Sequence, residues 1–223
     1  MSRALATVNY GNVLTENSRE SMKSACRIWS CDYLELNENS VPKHPRLSPP
    51  AMKTMAFMVS DYDELFLLDA DTVVAGHCPS PFETFPNQDE LVVVKDRSTY
   101  DCQRIEFDKI AERLPGLNCP LDHARYWNSG VILARRDAHE AMFAMSHALA
   151  LVPMGLAWCD QSLFVISTML LGLKINFVNE AWNFLSLGRV GNCSALTPDG
   201  PVLIAHGAGD PSRIEWLNTI QWK

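Results

Sequence analysis

The chain has 223 residues, 47% of them hydrophobic and 20% charged, which is ordinary globular usage and enough chain to bury a core as one domain. Its 26 acidic residues against 19 basic ones give a formal net charge of −7, which disfavours a surface that holds nucleic acid by charge alone. Seven cysteines form no C-x-x-C pair, which argues against a zinc or redox centre and for a reduced, cytoplasmic protein. Residues 1–10 carry no leader-like apolar stretch, and no uncharged apolar run reaches bilayer length. The expectation is a protein with no integral membrane association.

Leu5 to Tyr10 reads as a first strand and Ser18 to Trp29 as a helix with small or apolar residues at Met22, Ala25, Cys26 and Trp29. Tyr33 to Leu36 reads as a second strand. Residues 37–50 carry Pro42, Pro45, Pro49 and Pro50 and form a loop, followed by a helix from Ala51 to Val59. Leu65 to Leu68 is a continuous apolar run, as in a strand buried on both faces of a parallel sheet, and Asp69 and Asp71 follow at its C-terminal end. Further strands are expected at Leu91–Val94, Gly130–Ala134, Lys174–Val178 and Val202–Ala205. Helices are expected at Cys102–Leu114, Asp137–Leu151 and Asp160–Leu171, the middle one opened by a capping box of Asp137 and Glu140. This alternation predicts an α/β fold with a mostly parallel sheet, in which ligands gather at the carboxyl ends of the strands.

The sharpest chemical feature sits at such an end. In Leu67-Leu68-Asp69-Ala70-Asp71-Thr72 two carboxylates one residue apart can face one cation, and hard ions such as Mg²⁺ or Mn²⁺ take oxygen ligands. On the motif alone, a solvated acidic turn is an equal reading.

The segment Tyr62 to Val74 around this motif resembles the metal-binding strand of glycosyltransferase family eight, which includes glycogenin and bacterial lipooligosaccharide galactosyltransferases. Tyr126-Trp127-Asn128-Ser129-Gly130-Val131 is similar to the family's aromatic-x-Asn-(Ala/Ser)-Gly-Val segment, and Trp158-Cys159-Asp160-Gln161 to its Asp-Gln helix start. Ala181-Trp182-Asn183 is similar to its Trp-Asn element, and His206-Gly207-Ala208-Gly209 to its C-terminal His-x-x-Gly. The segments follow the family's order across nearly the whole chain.

The resemblance implies one GT-A domain over residues 1–223, acting as a hexosyltransferase on a nucleotide diphosphate sugar, commonly UDP-linked, with Mn²⁺ or Mg²⁺ and retention of configuration. It implies that Asp69, Asp71 and His206 hold the metal, with Asp69 also near the ribose. Tyr10 would stack on the base, or is an ordinary core aromatic. Lys53 would face the donor sugar and phosphates, or is a solvated lysine. Asn128, Asp160 and Gln161 would line the sugar pocket, Asp160 also being placed to cap its helix. The pattern departs at its end, where Ser212 occupies the family's lysine position and Arg213 offers the positive charge instead. Residues 97–125, which mix charge with Pro115, Gly116 and Pro120, are the candidate acceptor-facing or donor-covering insertion. They do not say whether the acceptor is a saccharide, a protein or a modified nucleic acid.

Asp69-Ala70-Asp71-Thr72-Val73 also satisfies the first motif of haloacid dehalogenase-type phosphohydrolases, although that motif belongs on a first strand. A non-catalytic sugar-nucleotide-binding protein is a further alternative. A nucleotidyltransferase is disfavoured because only Gly11, and no glycine-rich loop, follows the first strand.

Overall fold

A computed structural model describes residues 1–10, 14–96, 98, 100–117, 122–157, 159–185, 196–197 and 200–207. Strand β1 (Arg3–Val8) leads to helix α1 (Glu16–Trp29) and β2 (Asp32–Leu36). A 3₁₀ segment (Pro50–Met55) precedes β3 (Glu64–Asp69), β4 (Thr72–Val74), the short α2 (Pro81–Thr84) and β5 (Glu90–Lys95). Then come α3 (Tyr100–Arg113), β6 (Trp127–Arg135), α4 (Arg136–Ala150), α5 (Cys159–Leu170) and β7 (Lys174–Val178). The short strands β8 (Phe184–Leu185), β9 (Leu196–Thr197), β10 (Gly200–Pro201) and β11 (Ile204–His206) follow.

The six-stranded sheet has the order β2-β1-β3-β6-β5-β7. Pairing is parallel at β1·β2, β1·β3 and β5·β7, and antiparallel on both sides of β6, so β6 alone is reversed and the sheet is mostly parallel. Alternation within β3 explains its unbroken apolar run. Leu65 and Leu67 face a core shared with Met142 and Phe143 of α4 and Phe164 of α5, while Phe66 and Leu68 face Met22 and Trp29 of α1 and Phe82 of α2. A strand covered on both faces has no solvent side to mark with polar residues. Phe66 anchors its side with edge-on contacts to Trp29, Phe82 and Trp182 at 5.8, 6.5 and 6.3 Å between ring centroids.

Three local expectations change. The helix expected at 51–59 is instead the 3₁₀ segment, because Pro49 and Pro50 enter it without N–H donors and its bonds close over three residues, as in Ala56 N–H to Lys53 O at 3.1 Å. Asp137 and Glu140 form no capping box. Strand β6 runs straight into α4, the Arg136 N–H donates to Asp63 O at 2.8 Å, and Glu140 pairs with the Arg136 side chain at 2.8 Å. Asp160 is the second residue of α5 rather than its cap, and its carboxylate is used elsewhere.

A second, three-stranded sheet of order β4-β11-β8 lies beyond the end of β3. It pairs His206 with Thr72 and Leu185. The Gly207 N–H donates to Asp71 O at 2.8 Å, tying the end of β11 to the acidic turn. Among the described residues no helix is long and apolar enough to cross a membrane.

Candidate functional site

The acidic turn connects the two sheets. Asp69 ends β3, and Thr72 opens β4 with its hydroxyl donating to Asp69 O at 2.8 Å, which fixes the reversal between them. Because β11 pairs antiparallel with β4, His206 is carried across a separation of more than 130 residues to the two carboxylates. Its Nε2 lies 3.3 Å from Asp69 Oδ2 and 3.3 Å from Asp71 Oδ1. Ligand atoms of the three residues all lie within 4.8 Å of one another. Burial alone would lower the His206 pKa, but the carboxylates of Asp69 and Asp71 outweigh it and push it up to about 9. Such a field attracts cations.

The tautomer of His206 follows from its other neighbour. Asn183, at the end of a 3₁₀ turn (Glu180–Asn183) just before β8, donates from Nδ2 to Asn128 Oδ1 at 2.7 Å. Its Oδ1 therefore faces His206 Nδ1, 2.9 Å away, and accepts the Nδ1 hydrogen. In the neutral ring this leaves the Nε2 lone pair directed at the carboxylates, as a nitrogen ligand requires. Asn128 Oδ1 also accepts the Gly130 N–H at 2.8 Å, so β6 supports the array from beneath. Two carboxylates and one oriented imidazole fit a divalent cation that accepts mixed oxygen and nitrogen donors.

Lys53 is 2% exposed and joins this group to a second carboxylate. Its Nζ lies 2.5 Å from Asp69 Oδ1 and 2.7 Å from Asp160 Oδ2, and it donates to Ser129 O at 3.1 Å. Burial would lower the pKa of this ammonium, yet Asp160 and then Asp69 hold it well above the ordinary lysine value. Burial likewise raises Asp69, and Lys53 followed by His206 reverses this and holds the carboxyl far below its usual range. The lysine is therefore a buried, ionised tie between β3 and α5, not a solvated side chain.

Beside it, Ser129 Oγ donates to Asp160 Oδ2 at 2.8 Å, and the Ser129 N–H donates to Gln161 Oε1 at 3.3 Å. Gln161 Nε2 in turn donates to Asp96 Oδ2 at 3.1 Å, one residue past β5. The first turn of α5 is thus stitched to β6 and β5 next to the acidic turn. Tyr10 behaves differently. It lies two residues beyond β1, is 2% exposed within the core, and its hydroxyl donates to Val41 O at 2.7 Å, so its ring has no open face for a base in this conformation. Arg213, Gly209 and Ser212 lie outside the described residues.

The sequence-predicted residues Asp69, Asp71, His206, Lys53, Asn128, Asp160 and Gln161 therefore converge, while Tyr10 stands in the core. Asp96, Ser129, Gly130 and Asn183 join them only in three dimensions. Ser129, Gly130 and Asn183 fall inside motifs carrying the family resemblance, whereas Asp96 has no signal beyond following an apolar strand.

No protein-family pattern and no curated protein matches the chain in sequence. Solved structures match its fold. A glycosyltransferase involved in the glycosylation of the major capsid of PBCV-1 superposes with a TM-score of 0.66 at 9% identity, covering 99% of this chain and 100% of that one. The glycosyltransferase GlyE of Streptococcus pneumoniae TIGR4 gives 0.60 at 14% identity over 100% of this chain and 61% of its own. The galactosyltransferase LgtC, in complex with donor and acceptor sugar analogs, gives 0.50 at 16% identity over 97% and 95%. The fold is that of the GT-A glycosyltransferases. The haloacid dehalogenase alternative loses its footing, since Asp69 ends the third strand of the chain rather than the first.

Proposed function

We propose that the chain is a single-domain, metal-dependent glycosyltransferase that moves a sugar from a nucleotide diphosphate sugar, UDP-linked, to an acceptor hydroxyl with retention of configuration. The observation that carries this reading is the convergence of Asp69, Asp71 and His206 at the carboxyl end of β3, on a fold shared with glycosyltransferases. Asp69, Asp71 and His206 would hold the cation, and the imidazole nitrogen favours Mn²⁺ over Mg²⁺. Bound there, the cation would offset the charge that gathers on the departing diphosphate.

The chain's own groups define the rest. Lys53 keeps Asp69 and Asp160 ionised and fixed relative to each other. Asp160 and Gln161 present a carboxylate and an amide near the sugar position, and Asn128 and Asn183 fix the orientation of His206. In transfer, the bond from the anomeric carbon to the diphosphate oxygen breaks, a bond to the acceptor oxygen forms, and the acceptor proton passes to the departing diphosphate. Asp160 Oδ2 is engaged by both Lys53 and Ser129, and Gln161 is an amide, which favours attack on the face the diphosphate leaves over a covalent sugar–enzyme step. Arg213 is the candidate second cation for the diphosphate. The scattered cysteines, with no C-x-x-C pair among them, support a cytoplasmic setting.

The test is thermal unfolding in the presence of nucleotide sugars, with Mn²⁺ or with EDTA. UDP or a UDP-sugar at a hundred times its dissociation constant should stabilise the protein by about 2.7 kcal/mol with Mn²⁺. Equal stabilisation in EDTA would remove the metal from the reading.

A further inference from the structure

Outside the donor site, two thiols meet at the C-terminal end of α1. Ser30 stands just past the helix in the left-handed conformation, with φ 54° and ψ 49°, and the chain folds back over the last turn. The Cys31 N–H consequently donates to Cys26 O at 3.1 Å, a bond spanning six residues that brings the side chains of positions 26 and 31 together. The Cys26 thiol donates to Asp32 O, 3.5 Å away and one residue past Cys31. Cys26 is buried and Cys31 is half-buried, so of the two sulfurs Cys31 is the one within reach of solvent.

We infer that Cys26 and Cys31 form an oxidative modification site, in which a peroxide converts the two thiols to an intramolecular disulfide. Cys31 is the attacking sulfur, because it is the half-buried one of the two, the one a peroxide reaches, and the neighbouring Cys26 holds it below the ordinary thiol range. Cys26 keeps its proton, which it donates to Asp32 O, and the neighbouring Cys31 and burial push its pKa far up. The Cys31 thiolate attacks one peroxide oxygen, the O–O bond breaks, and the hydroxide released takes a proton from solvent to become water. The Cys26 sulfur then attacks the Cys31 sulfenic sulfur; the S–S bond forms, the S–O bond breaks, and the Cys26 proton leaves with that oxygen as a second water. Two electrons pass from the sulfurs to one peroxide.

The pair is remote from the donor site. Cys31 directly precedes β2, whose first residue Asp32 pairs with Ala4, at the end of the sheet where Arg3 pairs with Glu64. Asp69 lies at the other end, opposite Val8.

The experiment is a non-reducing tryptic map of the full chain after mild hydrogen peroxide. Arg27 separates the two cysteines, so the disulfide joins two distinct peptides. The expected result is a loss of two hydrogens reversed by dithiothreitol, with the peptides of Cys26 and Cys31 cross-linked. In Cys26→Ser the trapped product should instead be a Cys31 sulfenic acid that reacts with dimedone. Cys31 paired with Cys78 or another cysteine, or driven to sulfinic acid while Cys26 stays a free thiol, would overturn the inference.

Discussion

A Cβ placed on Gly130 would stand 2.4 Å from Cε1 and 2.6 Å from Nδ1 of His206, so β6 passes the imidazole at a distance only a residue without a side chain allows. The ring is held from behind by Asn183, so an added methyl has to displace it. Gly130→Ala should cost about 1–3 kcal/mol of stability through overpacking, and should weaken Mn²⁺-dependent donor binding more severely than stability. Calorimetric titration of Mn²⁺ and UDP beside a denaturant melt separates the two effects. Unchanged Mn²⁺ affinity in a folded variant would show that His206 does not belong to the cation site.

Asn183 should matter to the metal more than to the fold. Asn183→Ala removes the acceptor that takes the Nδ1 hydrogen of His206 and also the donor to Asn128. Loss of such an orienting partner lowers metal affinity by roughly 10- to 100-fold. Electron paramagnetic resonance of free against bound Mn²⁺ reads this directly. A drop in melting temperature with full Mn²⁺ affinity would reduce Asn183 to a packing residue.

How far the sequence reaches is visible in these residues. The inner strands β3 and β5 are legible because burial on both faces leaves continuous apolar runs, and Leu65 to Leu68 marks β3 to within a residue at each end. The reversal of β6 is not legible, since a strand's direction depends on how the chain returns through α3 and the turns around it. Strands β4 and β8 are too short to carry a period, and their partner β11 lies far along the chain, so pairing of His206 with Thr72 is a tertiary event. Lys53 shows the same limit. Nothing local tells a buried lysine from a solvated one; only the meeting of β3 with α5 supplies its two carboxylates.

Acid stability should be set in part by His139, which is far from the donor residues in role and fully buried in α4. Its Nδ1 accepts the Arg135 N–H at 2.9 Å, and its Nε2 has no hydrogen-bond partner. Burial lowers its pKa from 6.5 to about 4. A depressed folded value means that the unfolded chain binds the proton first, so stability is full above pH 6.5 and declines as pH falls towards 4. The decline should reach about 3 kcal/mol. His139→Asn keeps an acceptor but does not titrate. Urea melts between pH 7 and 4 should therefore show a shallower acid limb for the variant, and superimposable limbs would rule His139 out.

Lys53 ties stability and cation binding together with opposite signs. Its ammonium sits between Asp69 Oδ1 and Asp160 Oδ2 with almost no exposure, so Lys53→Met leaves two carboxylates facing each other without their shared counter-charge. Breaking a buried pair in this way costs about 3–5 kcal/mol, and the partial exposure of Asp69 places the expected loss near the lower end. The same ammonium competes with any cation for Asp69, because like charges repel across a few ångströms of poorly solvated space. Removing it should therefore tighten Mn²⁺ binding while it destabilises the apoprotein, and saturating Mn²⁺ should raise the melting temperature of Lys53→Met more than that of the parent. Paired melts of both proteins, with EDTA and with Mn²⁺, measure this difference. A smaller Mn²⁺ shift in the variant would mean that Lys53 assembles the cation site rather than competing with the ion, and that Asp69 needs the lysine in order to bind metal.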